Sequence, residues 1–186
     1  MNFPSYSFFN FVLALVSGII LPGVALAESQ DGSRDFDFCL GRWNVHHRQL
    51  KKRLAASHEW IEFEGTGVFQ KILGGAGNFD DNVIDKPGGK YCGATFRTFD
   101  PEKKLWTIWW LDSRFPGRLD PPVIGRFEKG VGAFYAEDTW EGTPIRVRYL
   151  WTQRSELNAP RWEQAFSTDA GKTWETNWIM DFKRVE

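Results

Sequence analysis

In the stretch LWTIWWLDSR, residues 105–114, Trp106, Ile108, Trp110, Asp112 and Arg114 fall at alternate positions. Alternate residues of a strand share a face. This strand therefore shows an apolar stripe that ends in a carboxylate and a guanidinium. Other segments repeat the arrangement. Trp60 has the parity of Glu62 and Glu64, and Tyr91 and Thr95 that of Arg97. Phe134 and Ala136 lead to Asp138, Trp43 and Val45 lead to His47, and Gln164 lies between Trp162 and Phe166. A polar group on an apolar face costs stability unless it is paired. Mostly apolar walls with a few convergent polar groups are the makeup of a small-molecule pocket. The candidate ligand-binding residues are Trp60, Glu62, Arg97, Trp110, Asp112 and Arg114. In this reading Arg97 or Arg114 grips a ligand carboxylate in a two-pronged contact. Glu62, Asp112 and His47 are the catalytic candidates, as groups able to move protons if their faces converge. The plainer alternative is that charges near strand ends are solvated, and that Asp112 and Arg114 only pair with neighbours.

These residues must be carried by strands. Turn clusters recur at DKPGGK, DPEKK, EKGVG, WEGTP, ELNAP and TDAGK, mostly about ten to fifteen residues apart. Between them run segments rich in aromatic and β-branched residues, giving about ten candidate strands after residue 40. Short helices are expected only at RDFDFCLG and LKKRLAA. The fold class this predicts is all-β, an antiparallel up-and-down barrel of about ten strands, whose closure removes exposed edges. A two-sheet sandwich is the alternative. In IRVRYLW, Ile145, Val147, Tyr149 and Trp151 are expected to face inward, and Arg146 and Arg148 outward.

The chain opens with an apolar run, Phe8–Leu21, followed by the small-x-small site Ala25-Leu26-Ala27. The run is too short to span a membrane and reads as a cleaved signal peptide over residues 1–27. Residues 28–186 then form one domain in the periplasm or outside the cell, with no membrane attachment after cleavage.

A formal net charge of −1 and a single dense basic run, Lys51-Lys52-Arg53, argue against nucleic acid as a partner. The run itself reads as a solvated turn. His46 and His47 point to opposite faces of a strand, and no zinc-like spacing is present, so no metal is expected. Cys39 and Cys92 are compatible with a disulfide or with two thiols. No nucleophile elbow or phosphate loop occurs, and no cofactor is expected.

Two resemblances bear on this reading. STDAGKTW, residues 167–174, resembles the Asp-box of sialidases and other β-propellers. One copy in a chain too short for six blades marks a hairpin turn, not an activity. CLGRWNV resembles the G-x-W signature of the calycins, the lipocalins and fatty-acid-binding proteins among them. The resemblance implies that Gly41 allows tight backbone packing and that Trp43 plugs one barrel end. FDFCLGRW, GGAGNFDDN, LDPPVIGRF, PIRVRYLW and RWEQAFS resemble a family of uncharacterised bacterial proteins with a lipocalin-like barrel. The related nitrobindins hold haem through a histidine near the C-terminus. This chain has no histidine after His58, which speaks against haem.

The leading expectation is an exported barrel that binds a small, partly apolar or aromatic ligand carrying a carboxylate. The alternatives are a cofactor-free lyase, isomerase or hydratase in the same pocket, and a structural or inhibitory protein with a filled barrel.

Overall fold

A computed structural model describes residues 31–154 and 159–185. The leader and its cleavage site lie outside the described residues. The chain forms ten strands: β1 Gly41–Leu50, β2 Trp60–Ile72, β3 Gly77–Lys86, β4 Gly89–Asp100, β5 Leu105–Asp112, β6 Val123–Glu128, β7 Val131–Trp140, β8 Thr143–Arg154, β9 Ala159–Ser167 and β10 Glu175–Arg184. Each pairs antiparallel with its sequence neighbour, and β1 pairs with β10, so the sheet closes on itself. This is the expected up-and-down barrel, not a sandwich. Its closed ten-strand antiparallel architecture is consistent with a calycin-like fold.

The two expected helices are reduced. RDFDFCLG contributes one short 3-10 helix, Asp37–Cys39. Residues 51–56 form bends, with Leu54 and Ala56 at positive φ (54° and 49°). Both backbones are strained for residues with a β-carbon.

One barrel end is plugged by aromatic side chains. Phe36, from the segment before β1, packs edge-on against Trp106 and Phe127, with ring centroids 5.0 and 4.9 Å away. The Trp106 indole N–H donates to the Gly32 carbonyl at 3.0 Å. Trp43 is 1% exposed, and its indole N–H donates to the Cys39 carbonyl at 2.6 Å. The Arg184 guanidinium lies 4.0 Å above the Trp43 ring and donates to the Leu40 carbonyl at 2.9 Å. Gly41 sits beneath it at φ 118°, where a β-carbon would stand 2.6 Å from Arg184 Nη1. The G-x-W pair thus ties the N-terminal segment, β1 and β10 together at the closed end.

The opposite end is open. There the β1–β2 connection, the segment after β5, and the β7–β8 and β9–β10 turns surround a mouth. β5 pairs with β6 through three residues, Trp106 to Ile108, and the segment between them returns to β5 at a bridge between Leu111 and Leu119. STDAGKTW forms the β9–β10 turn. Asp169 accepts from the Thr173 amide and hydroxyl at 2.9 and 2.6 Å, and the Trp174 indole donates to the Gly171 carbonyl at 3.0 Å. Cys39 and Cys92 are both free thiols, the first buried and the second exposed.

Candidate functional site

The barrel encloses a cavity of about 1110 Å³ that runs from the plug to the mouth. Ile108, Val147, Trp162, Phe166, Trp178 and Met180 are among its apolar lining. These side chains face inward because they occupy alternate positions on β5, β8, β9 and β10, as the parity of the sequence predicts. Tyr149 lines the wall too, its ring edge-on to Trp162 at 4.9 Å. Burial pushes its phenol above the ordinary range.

Of the six candidate binding residues, Arg97, Trp110, Asp112 and Arg114 line this cavity. Gly93 on β4 leaves the space that the Trp110 ring occupies, since a β-carbon there would stand 2.0 Å from it. Trp60 and Glu62 do not line the cavity, and here the parity reading is corrected. The inward face of β2 carries Ile61, Phe63 and Phe69, while Glu62 and Glu64 flank His46 on the outer wall, at 3.4 and 2.7 Å. Trp60 stands at the strand's first position, half in solvent at 37% exposure. Its bulk made the wrong face look apolar. Ile61 and Phe63, between acidic residues, carried the correct signal.

Arg97 is not free to serve a ligand in the expected way. Its Nη2 lies 2.5 Å from the Asp80 carboxylate, and its Nη1 donates to Asn78 Oδ1 at 3.0 Å. The Asp80 contact is an ion pair whose angle falls outside that of a hydrogen bond. Phe36, Phe69 and Trp151 surround the guanidinium, each ring centroid 5.1–5.3 Å away. Asn78, Asp80 and Asn82 share the inward face of β3. That polar alternation stands in the sequence as N-x-D-x-N, and it was missed as a partner for Arg97.

Asp112 and Arg114 pair with each other, as the plainer alternative holds. Arg114 Nη2 donates to Asp112 Oδ2 at 2.6 Å, and Nε to Oδ1 at 2.9 Å. Partial burial raises the Asp112 carboxyl, but hydrogen bonds from the Arg114 side chain and backbone outweigh it and hold the group below the usual range. Arg114 also lies 3.7 Å above the Tyr91 ring.

The three catalytic candidates do not converge. Glu62 is outside, and Asp112 is tied to Arg114. His47 faces inward but is walled off, stacked on Phe63 at 4.8 Å and accepting from the Trp178 indole at 3.2 Å. Burial, aided by His46, lowers its pKa to about 4, so the ring is neutral at pH 7. A different carboxyl, Asp120, lines the cavity, and burial together with Asp138 and Asp112 raises its pKa.

The solvated-turn reading of Lys51-Lys52-Arg53 needs correction as well. Lys51 does pair with Glu59 at 3.0 Å on the surface. Arg53 turns into the mouth and lies over Trp140, Phe166 and Trp178, at 4.6, 5.5 and 6.0 Å from their centroids. Nothing in K-K-R distinguishes its third member. The bend at Leu54, whose N–H donates to Glu175 Oε1 at 2.8 Å, decides it.

Among the described residues, no group of three or more His, Cys, Asp or Glu side chains could hold a metal ion. Neither a family model nor a curated protein sequence matches the chain.

Proposed function

We propose that the protein is an exported small-molecule binding barrel whose ligand occupies the lumen and is apolar or aromatic over most of its surface. The observation that carries this reading is the cavity itself. At about 1110 Å³ it lies near the upper end of the range for ligand pockets, and it combines aromatic walls with a small set of polar groups. A barrel filled by its own side chains would leave no such space. Native mass spectrometry of protein purified from its own host tests this proposal. A retained small molecule is the expected result. A bare chain that also fails to take up a neutral apolar fluorophore overturns it. Export is tested by N-terminal sequencing of the mature protein, which should begin at Glu28.

A second reading, a cofactor-free lyase, isomerase or hydratase, is favoured by Asp120. A carboxyl with a raised pKa inside a cavity is suited to proton transfer. Asp120→Asn would abolish turnover under this reading and leave ligand uptake in place.

A further inference from the structure

We infer that the ligand is a monocarboxylic acid bound with its carboxylate at the mouth, between Arg53 and Lys86, and its apolar body pointing down toward the plug. This rests on the lumen being a ligand pocket.

The cations that line the cavity differ in their partners. Arg97, the deepest, is neutralised by Asp80 and enclosed by three rings, so it has no charge to offer a second anion. Arg114 is held by Asp112 through both its Nε and its Nη2. Arg118 is paired with Asp120 at 3.4 Å. Lys51 is paired with Glu59, and Lys52 stands exposed at the rim. Arg53 differs from the other arginines. Among the described residues its guanidinium makes no ion pair or hydrogen bond and lies over aromatic faces, with the Glu175 carboxylate near enough for its charge to be felt. Stacking satisfies the faces of a guanidinium and leaves its five N–H donors, which lie in its plane, directed elsewhere. Lys86 lines the same cavity and has only a neutral partner, donating to Gln49 Oε1 at 2.6 Å. The ammonium retains two further donors.

The two groups also feel each other. Burial lowers the pKa of Lys86, and the charges of Arg53 and Arg114 lower it further. Like charges gathered at the rim of a low-dielectric cavity are a cost that a bound anion relieves. The anion must be small and carry one charge. Asp138 and Glu141 line the same mouth and would repel a polyanion. The rings of Trp140, Phe166 and Trp178 begin directly beneath Arg53, so the group attached to the carboxylate enters an aromatic collar. An acid with an aryl or alkyl body therefore matches, in its head-up orientation, the order of chemistry from mouth to plug.

The test uses three probes on the purified protein. Fluorescence of 1-aminoanthracene, a neutral apolar dye, reports on the lumen alone. Calorimetry compares 4-phenylbutanoate with 4-phenylbutanamide, which differ in charge and little in shape. The acid is expected to bind at least about tenfold more tightly than the amide, as a charge-assisted hydrogen bond implies. Arg53→Met, and separately Lys86→Met, should shrink that ratio to below about threefold, with dye binding above background showing that the lumen is intact. If the dye binds but acid and amide bind alike, or if both variants keep the wild-type ratio, the carboxylate site is wrong and the lumen reading survives. If neither the dye nor the acid binds, and protein from its own host is bare, both readings fall. Should Arg53→Met lose the dye through misfolding, the ratio in Lys86→Met decides.

Discussion

Arg97 and Asp80 form an ion pair inside the barrel, with Nη2 and Oδ2 2.5 Å apart and both side chains 2% exposed. Their strands are neighbours, and the register places Arg97 opposite Asn78 and Asp80 opposite Thr95. Removing one member of such a pair leaves a buried charge with no counterion. Arg97→Met is therefore expected to destabilise the fold by about 3–5 kcal/mol. Asp80→Leu should cost a similar amount, and the double variant much less than the sum. Denaturant midpoints of the four proteins check this. Additive losses would show that the two charges do not interact.

Trp43 plugs the closed end under the Arg184 guanidinium. Trp43→Ala removes the ring, the hydrogen bond to Cys39 and the stacking platform. A loss of about 3–5 kcal/mol is expected in urea unfolding. An unchanged midpoint would place the indole in solvent.

His47 should make stability depend on pH. Its folded pKa is about 4, below the ordinary 6.5, because the ring is buried beside Phe63 and Trp178. Above pH 6.5 the ring is neutral in both states and contributes no pH dependence. As pH falls from 6.5 to 4, the unfolded chain takes up a proton that the folded chain refuses, and stability is lost. The slope is about 1.4 kcal/mol per pH unit, for a total of roughly 3 kcal/mol. His47→Gln should flatten the curve between pH 4 and 6.5 relative to wild type. Parallel curves would mean that the ring is protonated in the folded state.

Glu62 supplies the matching control. Its side chain is 60% exposed and, among the described residues, its ion-pair partner is His46 on the outer wall. Glu62→Gln should change stability by less than about 0.5 kcal/mol and leave binding of 1-aminoanthracene untouched. A tenfold change in affinity would return Glu62 to the site.

The alternation of side chains along each strand is a local property with a period of two, so most faces of this barrel were legible in the chain. Trp110 with Asp112, Tyr91 with Arg97, and Ile145 to Trp151 opposite Arg146 and Arg148 all lie as that period requires. The turn clusters marked the hairpins for the same reason, since positive φ and Asx bonding involve only adjacent residues; ELNAP lies largely outside the described residues. β2 was misread because Trp60 starts the strand at the rim, where a large ring can rest half in water and still obey the alternation. Which arginine is left without an ion pair in the cavity was not legible in the same way. Arg97 and Arg53 look alike as residues. Only the register of the β3–β4 hairpin set Asp80 beside the first, and only the bend at Leu54, held by Glu175 from the far end of the chain, laid the second across Trp140 and Trp178. Charge pairing across strands depends on register and closure, which are decided when the whole sheet folds.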